Sequence, residues 1–210
     1  MRIYDSLVEP IRIHRIVGSR REEEKIAEQL IELVGLHREH LSRYPHELSG
    51  GQIQRVVLAR ILSLQPEFIV ADEPTSMLDA SVQAQVLRLF KEIQRQFNIA
   101  YLFISHDLKV IRWISHRVAV MYRGSIVELG PVEEVCEKPK HPYTCLLVGA
   151  FFGHGYNGLK FEKAPDFVGA AGHLCGCKFY PYCPSASNMC RVAPDLREVQ
   201  KGHFVACWEV

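Results

Sequence analysis

Residues Pro45 to Asp79, PHELSGGQIQRVVLARILSLQPEFIVADEPTSMLD, contain two segments that are suited to phosphate chemistry. In the first segment, Ser49 is a good helix N-cap, and Gly50 and Gly51 let backbone N–H groups approach a ligand closely. The run from Ile53 to Leu64 that follows favours a helix. A helix that begins here directs its positive dipole end and its unpaired N–H donors toward an anion, so this segment is a candidate phosphate contact.

The second segment ends in two adjacent carboxylates. The apolar run Phe68 to Ala71 predicts a buried parallel strand, which delivers Asp72 and Glu73 at its carboxyl end, where ligands bind in open α/β sheets. Asp72 suits Mg²⁺ binding through water, and Glu73 suits polarisation of an attacking water. Neither segment is specific alone, because Ser-Gly-Gly is usually a turn and Asp-Glu after a strand is usually solvated.

The flanking sequence alternates helices and strands. Two helices are predicted before this stretch: a loose one that is interrupted at Pro10, and a clearer one that Ser19 caps and Gly35 ends. An amphipathic helix over Ser81–Phe97 and a second apolar strand over Ile99–Ile104 are predicted after it. This alternation predicts an α/β sheet.

Two further features complete the secondary-structure prediction. The helix after Ser49 is expected to end near Gln65-Pro66. Two short strands, Val118–Tyr122 and Ser125–Leu129, are expected to form a hairpin around Arg123-Gly124. A hairpin thus closes the predicted α/β region.

Four motifs stand in an order that resembles one family. Leu48–Gln52 (LSGGQ), the strand ending in Asp72-Glu73, the segment Ser76–Asp79 and the segment Ile104–Asp107 (ISHD) resemble the signature, Walker B, D-loop and switch-histidine motifs of the nucleotide-binding subunits of ABC transporters. The resemblance implies an α/β fold: a partial P-loop NTPase-type ABC domain, comprising the helical subdomain and part of the parallel sheet, with a small Cys-rich C-terminal extension.

The same resemblance implies roles for individual residues. In such a subunit two nucleotide-binding domains enclose ATP and Mg²⁺, with Glu73 and His106 in catalytic roles and Asp72 holding Mg²⁺ through water. His106 would contact the γ-phosphate and orient the water, although a strand-end histidine taken alone is more simply explained by a backbone hydrogen bond. The residues expected to contact nucleotide are Ser49, Gly50, Gly51, Gln52 and Asp79.

The phosphate-binding loop of the family is missing from the sequence. No G-x-x-x-x-G-K-[ST] segment occurs, and the glycine-rich run Gly153–Gly158 lacks Lys-Ser/Thr and is predicted to be a flexible linker. In the family the P-loop, the adenine-stacking aromatic residue and the Q-loop glutamine precede the signature. The chain is therefore expected to be the C-terminal portion of such a subunit, from a truncated gene, a split gene or a misplaced start, and to be inactive alone.

The segment after the hairpin resembles one branch of the family. His141-Pro142-Tyr143-Thr144 followed by Leu146-Leu147 is similar to the peptide/nickel importer branch, in which Arg or Lys usually occupies the position of Cys145. A helix start after a proline turn would explain the same string without any function. The resemblance implies an energy-coupling subunit of an oligopeptide or dipeptide importer, with a second nucleotide-binding subunit and transmembrane permease subunits as partners. The peptide itself would be met only indirectly, and nickel stays open as the cargo.

Five of the seven cysteines lie in the last 36 residues, and an odd count in a cytosolic chain argues against a disulfide framework. The tail resembles the C-terminal extension of oligopeptide and dipeptide importer ATPases, which implies a [4Fe–4S] cluster held by Cys177, Cys183, Cys190 and Cys207 in the spacing C-x₅-C-x₆-C-x₁₆-C. Zinc and inert buried thiols are the alternatives, and zinc more often uses tight C-x₂₋₄-C pairs. Cys175 would be a substitute ligand or a free thiol.

Composition narrows the function classes. The net charge of +1 argues against a dedicated nucleic-acid binder, and no apolar run approaches the roughly 20 residues of a membrane-spanning helix. The chain is therefore expected to be cytosolic and to reach the cytoplasmic face of the membrane through a partner. The alternative function is a non-catalytic, redox- or metal-responsive partner-binding module.

The predicted domains are 1–48 (helical subdomain), 49–130 (catalytic core), 131–160 (connecting segment) and 161–210 (Cys-rich tail).

Overall fold

The computed structural model describes residues 1–153 and 176–210, which form two compact units, Met1–His106 and Asp107–Val210. The predicted linker 153–158 lies almost wholly outside the described residues. In the described ranges the helices are α1 (Ile3–Ile13), α2 (Arg20–Leu33), α3 (Gly50–Leu62), α4 (Ala80–Phe97), α5 (Leu108–Ile114), α6 (Val132–Glu137) and α7 (Pro142–Phe152). The strands are β1 (Phe68–Asp72), β2 (Ala100–Ile104), β3 (Arg117–Tyr122), β4 (Ser125–Pro131), β5 (Arg197–Gln200) and β6 (His203–Val205).

Helix caps in the first unit follow the sequence prediction. Ser19 accepts a hydrogen bond from Glu22 N at 3.3 Å, and Ser49 accepts one from Gln52 N at 3.4 Å, so both serines are N-caps as predicted. The predicted interruption at Pro10 is wrong, because α1 continues through it. Pro10 is buried with the apolar face of α1, and this packing offsets the loss of one backbone hydrogen bond.

The two strands of the first unit are parallel, as predicted, with Val70 opposite Leu102 in the register. Phe90 of α4 packs edge-to-face against Tyr101 at 5.4 Å and Phe103 at 5.8 Å, so α4 covers one face of the pair. The prediction that β1 is buried on both faces is wrong within the described residues: Val70 is 54% exposed on the other face. An apolar run does not reveal how many faces of a strand are covered.

The second unit contains a four-stranded antiparallel sheet in the order β3-β4-β6-β5. The predicted hairpin is confirmed: β3 and β4 pair around Arg123 and Gly124, whose φ angles of 46° and 77° suit a type I′ turn. Strand β6 pairs with β4, with Phe204 opposite Leu129, so the end of the chain completes this sheet. Among the helices of residues 1–153 and 176–210, none combines the length and apolar character that a membrane crossing requires.

The domain boundaries predicted from the sequence stay a prediction. Along the chain the first compact unit ends at His106 and the second begins at Asp107, and residues 161–175 of the predicted tail lie outside the described residues. The signature helix ends at Leu62, three residues before the predicted Gln65. Ser63 is its C-cap, and the chain leaves the helical direction at Gln65, whose φ is 49°, directly before Pro66.

Candidate functional site

The carboxylate of Glu73 and the imidazole of His106 meet at the carboxyl ends of β1 and β2. Glu73 Oε1 accepts a hydrogen bond from His106 N at 3.0 Å and another from His106 Nδ1 at 2.7 Å. Because an ionised carboxylate only accepts, the proton of this second bond belongs to Nδ1. The Glu73 side chain is 35% exposed, so water can reach a carboxylate whose orientation is fixed. This pair can polarise a water molecule and hold a second group through the far side of the imidazole.

The backbone at Glu73 explains how the side chain is aimed. Glu73 has φ of 46°, which is uncommon for a non-glycine residue, and its N–H donates to Ile104 O at 2.9 Å. Its carbonyl accepts from Ser76 Oγ at 3.1 Å. Strain of this kind persists where surrounding contacts fix it, and it often accompanies function. The turn directs Glu73 toward β2, whereas Asp72 completes β1 and is exposed on the face that also carries Val70.

The four predicted signature residues are the N-cap of α3, Ser49, and the first three residues of the helix, Gly50, Gly51 and Gln52. Ser49 and Gln52 form a reciprocal capping box, in which Ser49 N donates to Gln52 Oε1 at 3.0 Å. A Cβ on Gly51 would lie 2.2 Å from Val82 Cγ1, and one on Gly50 would lie 3.2 Å from Leu78 Cδ2. Gly51 therefore lets α3 pack closely against α4, and Gly50 lets it pack against the segment that leads into α4. Their predicted contact with nucleotide is a separate role, which stays a prediction.

Asp79, predicted as a nucleotide contact, has a structural role in this chain. Its Oδ1 accepts from Ser81 N and Val82 N, both at 3.0 Å, so Asp79 is the N-cap of α4. The adjoining loop is held by a buried residue that sequence analysis did not single out: Thr75 is 3% exposed and accepts from Gln83 Nε2 at 3.2 Å. Thr75 itself gave no signal in the sequence, since a Pro-Thr-Ser string is typical of any loop.

The predicted iron–sulfur cluster is wrong. In the parts of the chain that the structure describes, no three His, Cys, Asp or Glu side chains are grouped so that they could hold a metal ion. Cys177, Cys183, Cys190 and Cys207 are free thiols, and burial raises the pKa of Cys183 to about 11. The zinc alternative has no support either, and Cys175 lies outside the described residues.

The His-Pro-Tyr-Thr string begins a helix. His141 is the N-cap of α7, and its Nδ1 accepts from Tyr143 N at 3.0 Å. Pro142 occupies the first helical position, where its missing N–H is not needed. Burial lowers the pKa of His141 to about 4, which keeps the ring neutral and able to accept. This part of the string therefore has the structural role that the sequence left open.

Comparisons with known proteins agree with this geometry. Residues 4–76 match the ABC transporter family model, and residues 127–190 match the model of the C-terminal region of oligopeptide/dipeptide transporters. The oligopeptide transport ATP-binding protein AppF of Bacillus subtilis is 45% identical over 95% of this chain. OppF of the same organism, also an oligopeptide transport ATP-binding protein, is 42% identical over the full chain. The glutathione import ATP-binding protein GsiA of Pectobacterium atrosepticum is 54% identical over 69% of the chain.

A solved structure supports the fold. The ATP-binding cassette MJ0796, a dimer in a post-hydrolysis state bound to ADP and Pi, aligns with a TM-score of 0.56 and 26% identity over 63% of this chain and 57% of that chain. The fold is the ABC ATPase type of α/β fold, with a parallel and an antiparallel sheet. The chain spans 62% of AppF, 64% of OppF and 23% of GsiA. The two family models and these relatives together relate the chain to the ATP-binding proteins of ABC transporters, in the group of the oligopeptide and dipeptide transporters.

Proposed function

We propose that this chain supplies the signature, Walker B and switch-histidine elements of the ATP-binding subunit of an ABC importer for oligopeptides or dipeptides. The observation that carries the proposal is the hydrogen-bonded pair of Glu73 and His106 at the carboxyl ends of two parallel strands. The named relatives transport oligopeptides or import glutathione, which favours peptide over nickel as the cargo.

The residues of the chain have separate tasks in this proposal. The cofactors are ATP and Mg²⁺. Asp72 is an exposed carboxylate at the end of β1, and it is suited to hold Mg²⁺ through a water molecule. The ion would neutralise charge on the phosphates. Glu73 polarises the attacking water. His106 uses Nδ1–H to orient Glu73, and contact of Nε2 with the γ-phosphate requires that this second ring nitrogen also carries a proton, because phosphate oxygens only accept. The first turn of α3, capped by Ser49, presents backbone N–H groups to nucleotide held by a second subunit.

The partners follow from the same assignment. A second nucleotide-binding subunit would contribute the phosphate-binding loop opposite α3, and transmembrane permease subunits would place the assembly at the cytoplasmic face of the membrane. Asp72, Glu73 and His106 would act on nucleotide gripped by a P-loop of their own domain. The metal-responsive alternative loses its basis with the predicted cluster, since in the described part of the chain no group of metal ligands is found.

The proposed function is tested by adding a phosphate-binding loop, which the sequence of this chain does not contain. The full chain is mixed with a separately expressed P-loop-bearing segment of an ABC relative, and phosphate release from ATP is measured with Mg²⁺. The chain alone is expected to show background release, and the mixture at least about tenfold more, because the P-loop supplies most of the phosphate contacts. A segment whose P-loop Lys is replaced by Ala is the control. Release at background from a mixture that associates would contradict the proposed function.

A further inference from the structure

The signature residue Gln52 has a second contact, with a buried histidine. His40 lies in a 3₁₀ turn, Arg38–Ser42, and is 4% exposed. Its Nε2 lies 3.4 Å from Gln52 Nε2, and its Nδ1 lies 2.9 Å from His37 O. A buried imidazole thus stands next to the amide that completes the signature capping box. Both contacts lie within the first unit.

The hydrogen-bond pattern fixes the orientation of the Gln52 amide. Ser49 N–H is a donor, so the Gln52 atom that faces it at 3.0 Å must be the carbonyl oxygen Oε1. The amino group Nε2 then faces His40. Because this NH₂ group is a donor only, His40 Nε2 must accept and therefore carries no proton.

The tautomer of His40 follows from the same chain of bonds. Two backbone groups of His37 approach His40 Nδ1: the N–H at 3.2 Å and the carbonyl oxygen at 2.9 Å. If Nδ1 accepted from the N–H of His37, the ring proton would lie on Nε2, and two donors, Nε2–H and the Gln52 amino group, would then face each other. Neutral His40 with the proton on Nδ1 donates to His37 O and accepts from Gln52, and of the three contacts it gives up only the one from His37 N–H at 3.2 Å.

We propose that His40 is a positioning residue for the signature turn: as the Nδ1–H tautomer it holds the Gln52 amide in the orientation that caps Ser49 N. A different side chain at position 40, without an acceptor there, would free the amide to rotate and would leave Ser49 N–H less protected. The importance of this turn for nucleotide rests on the proposed function, whereas the positioning itself does not.

The first arm of the test uses the unmodified chain. Long-range ¹H–¹⁵N correlation spectra distinguish a ring nitrogen that carries a proton from one that does not. The expected result for His40 is a proton on Nδ1 and none on Nε2. A proton on Nε2 would overturn the proposal, because the Gln52 amino group could not then donate to the ring.

The second arm measures hydrogen exchange of the Ser49 amide in variants. In His40→Leu the Ser49 amide is expected to exchange about fivefold faster than in the unmodified chain, because one modest hydrogen bond is lost. His40→Gln, whose Oε1 can accept near the position of Nε2, is expected to stay within about twofold of the unmodified chain. Gln52→Leu removes the acceptor of the Ser49 N–H itself, so this variant gives the largest increase in exchange rate that loss of this hydrogen bond can produce.

The matched control is His46→Leu, which changes an exposed histidine that also lies between α2 and α3 and should leave the exchange rate of the Ser49 amide unchanged. Equal exchange in His40→Leu and the unmodified chain would overturn the proposal. If His40→Leu fails to fold, the tautomer and the comparison of His40→Gln with Gln52→Leu still decide it. Loss of Ser49 protection without any effect on ATP turnover in the P-loop mixture would count against the proposed function and leave the positioning role standing.

Discussion

The carboxylate of Glu73 accepts two hydrogen bonds from one residue, His106, through its backbone N–H at 3.0 Å and its ring Nδ1 at 2.7 Å. The backbone bond joins the ends of β1 and β2, and the ring bond requires a proton on Nδ1. His106 is 77% exposed on its side chain, so the ring is accessible from the side that does not face Glu73. The pair is therefore both oriented and open to a ligand.

Replacing His106 tests the orientation of Glu73. In the mixture with a P-loop segment, His106→Ala is expected to lower ATP turnover by about 10² or more, because it removes the ring donor and the phosphate contact together. ATP affinity should change by less than about threefold, since a P-loop supplies most of the binding. Turnover and nucleotide binding are measured on the same preparation. His14→Ala, an exposed change elsewhere in the unit, is the control, and an equal loss in both variants would contradict the assignment.

The packing of α3 against α4 depends on Gly51. Gly51→Ala places a methyl group 2.2 Å from Val82 Cγ1, and the stiff Val82 side chain cannot move aside freely. We expect a loss of about 1–3 kcal/mol in the free energy of unfolding, measured by urea denaturation. Gly18→Ala, where a Cβ meets nothing within 4 Å, is the control. The double variant Gly51→Ala with Val82→Ala should recover much of the loss, and no recovery would place the strain elsewhere.

The core of the second unit contains a buried carboxylate with three donors. Glu128 is 0% exposed and accepts from Lys140 N and His141 N, both at 2.9 Å, and from His203 Nε2 at 2.7 Å. Glu128→Gln places an amino group against these donors and is expected to cost about 3 kcal/mol in the free energy of unfolding. Glu133→Gln, an exposed change in α6, is the control. Equal stability of the two variants in urea denaturation would contradict the role of Glu128.

The cap of α7 predicts a pH dependence. Burial lowers the pKa of His141 to about 4, below the value near 6.5 of an unfolded chain. The unfolded state therefore binds more protons between these values, so the stability that neutral His141 contributes is complete above pH 6.5 and is lost as the pH falls toward 4. His141→Asn keeps a capping oxygen and does not titrate there. The pH slope of the free energy of unfolding should be smaller in this variant, and equal slopes would contradict the assignment.

Local sequence patterns predicted the elements whose cause is local. Ser19 and Ser49 lie one residue before a helical run, so their capping roles followed from residue type and position. The hairpin followed from Arg123-Gly124 between two apolar runs, since few residues other than glycine tolerate a positive φ. The proximity of Glu73 and His106 followed from two parallel strands that end at the same edge of a sheet.

Features that depend on tertiary contacts were missed. Helix α1 passes through Pro10 because the ring is buried, which no local propensity reveals. The pairing of β6 with β4 joins residues about 75 positions apart and has no local signal. The spacing of cysteines such as Cys183 and Cys190 suggested a cluster, but spacing along the chain does not fix how side chains are grouped in space, and no group of metal ligands is found in residues 1–153 and 176–210.

The central claim, that Glu73 acts in the chemical step, is tested most directly by Glu73→Gln in the mixture with a P-loop segment. ATP binding and phosphate release are measured on the same assembly, because the amide keeps the size of the side chain and removes its charge. The account predicts that release falls by about 10² or more while ATP affinity stays within about threefold. A loss of ATP binding equal to the loss of turnover would contradict it and make Glu73 a ligand of the bound nucleotide or a structural residue.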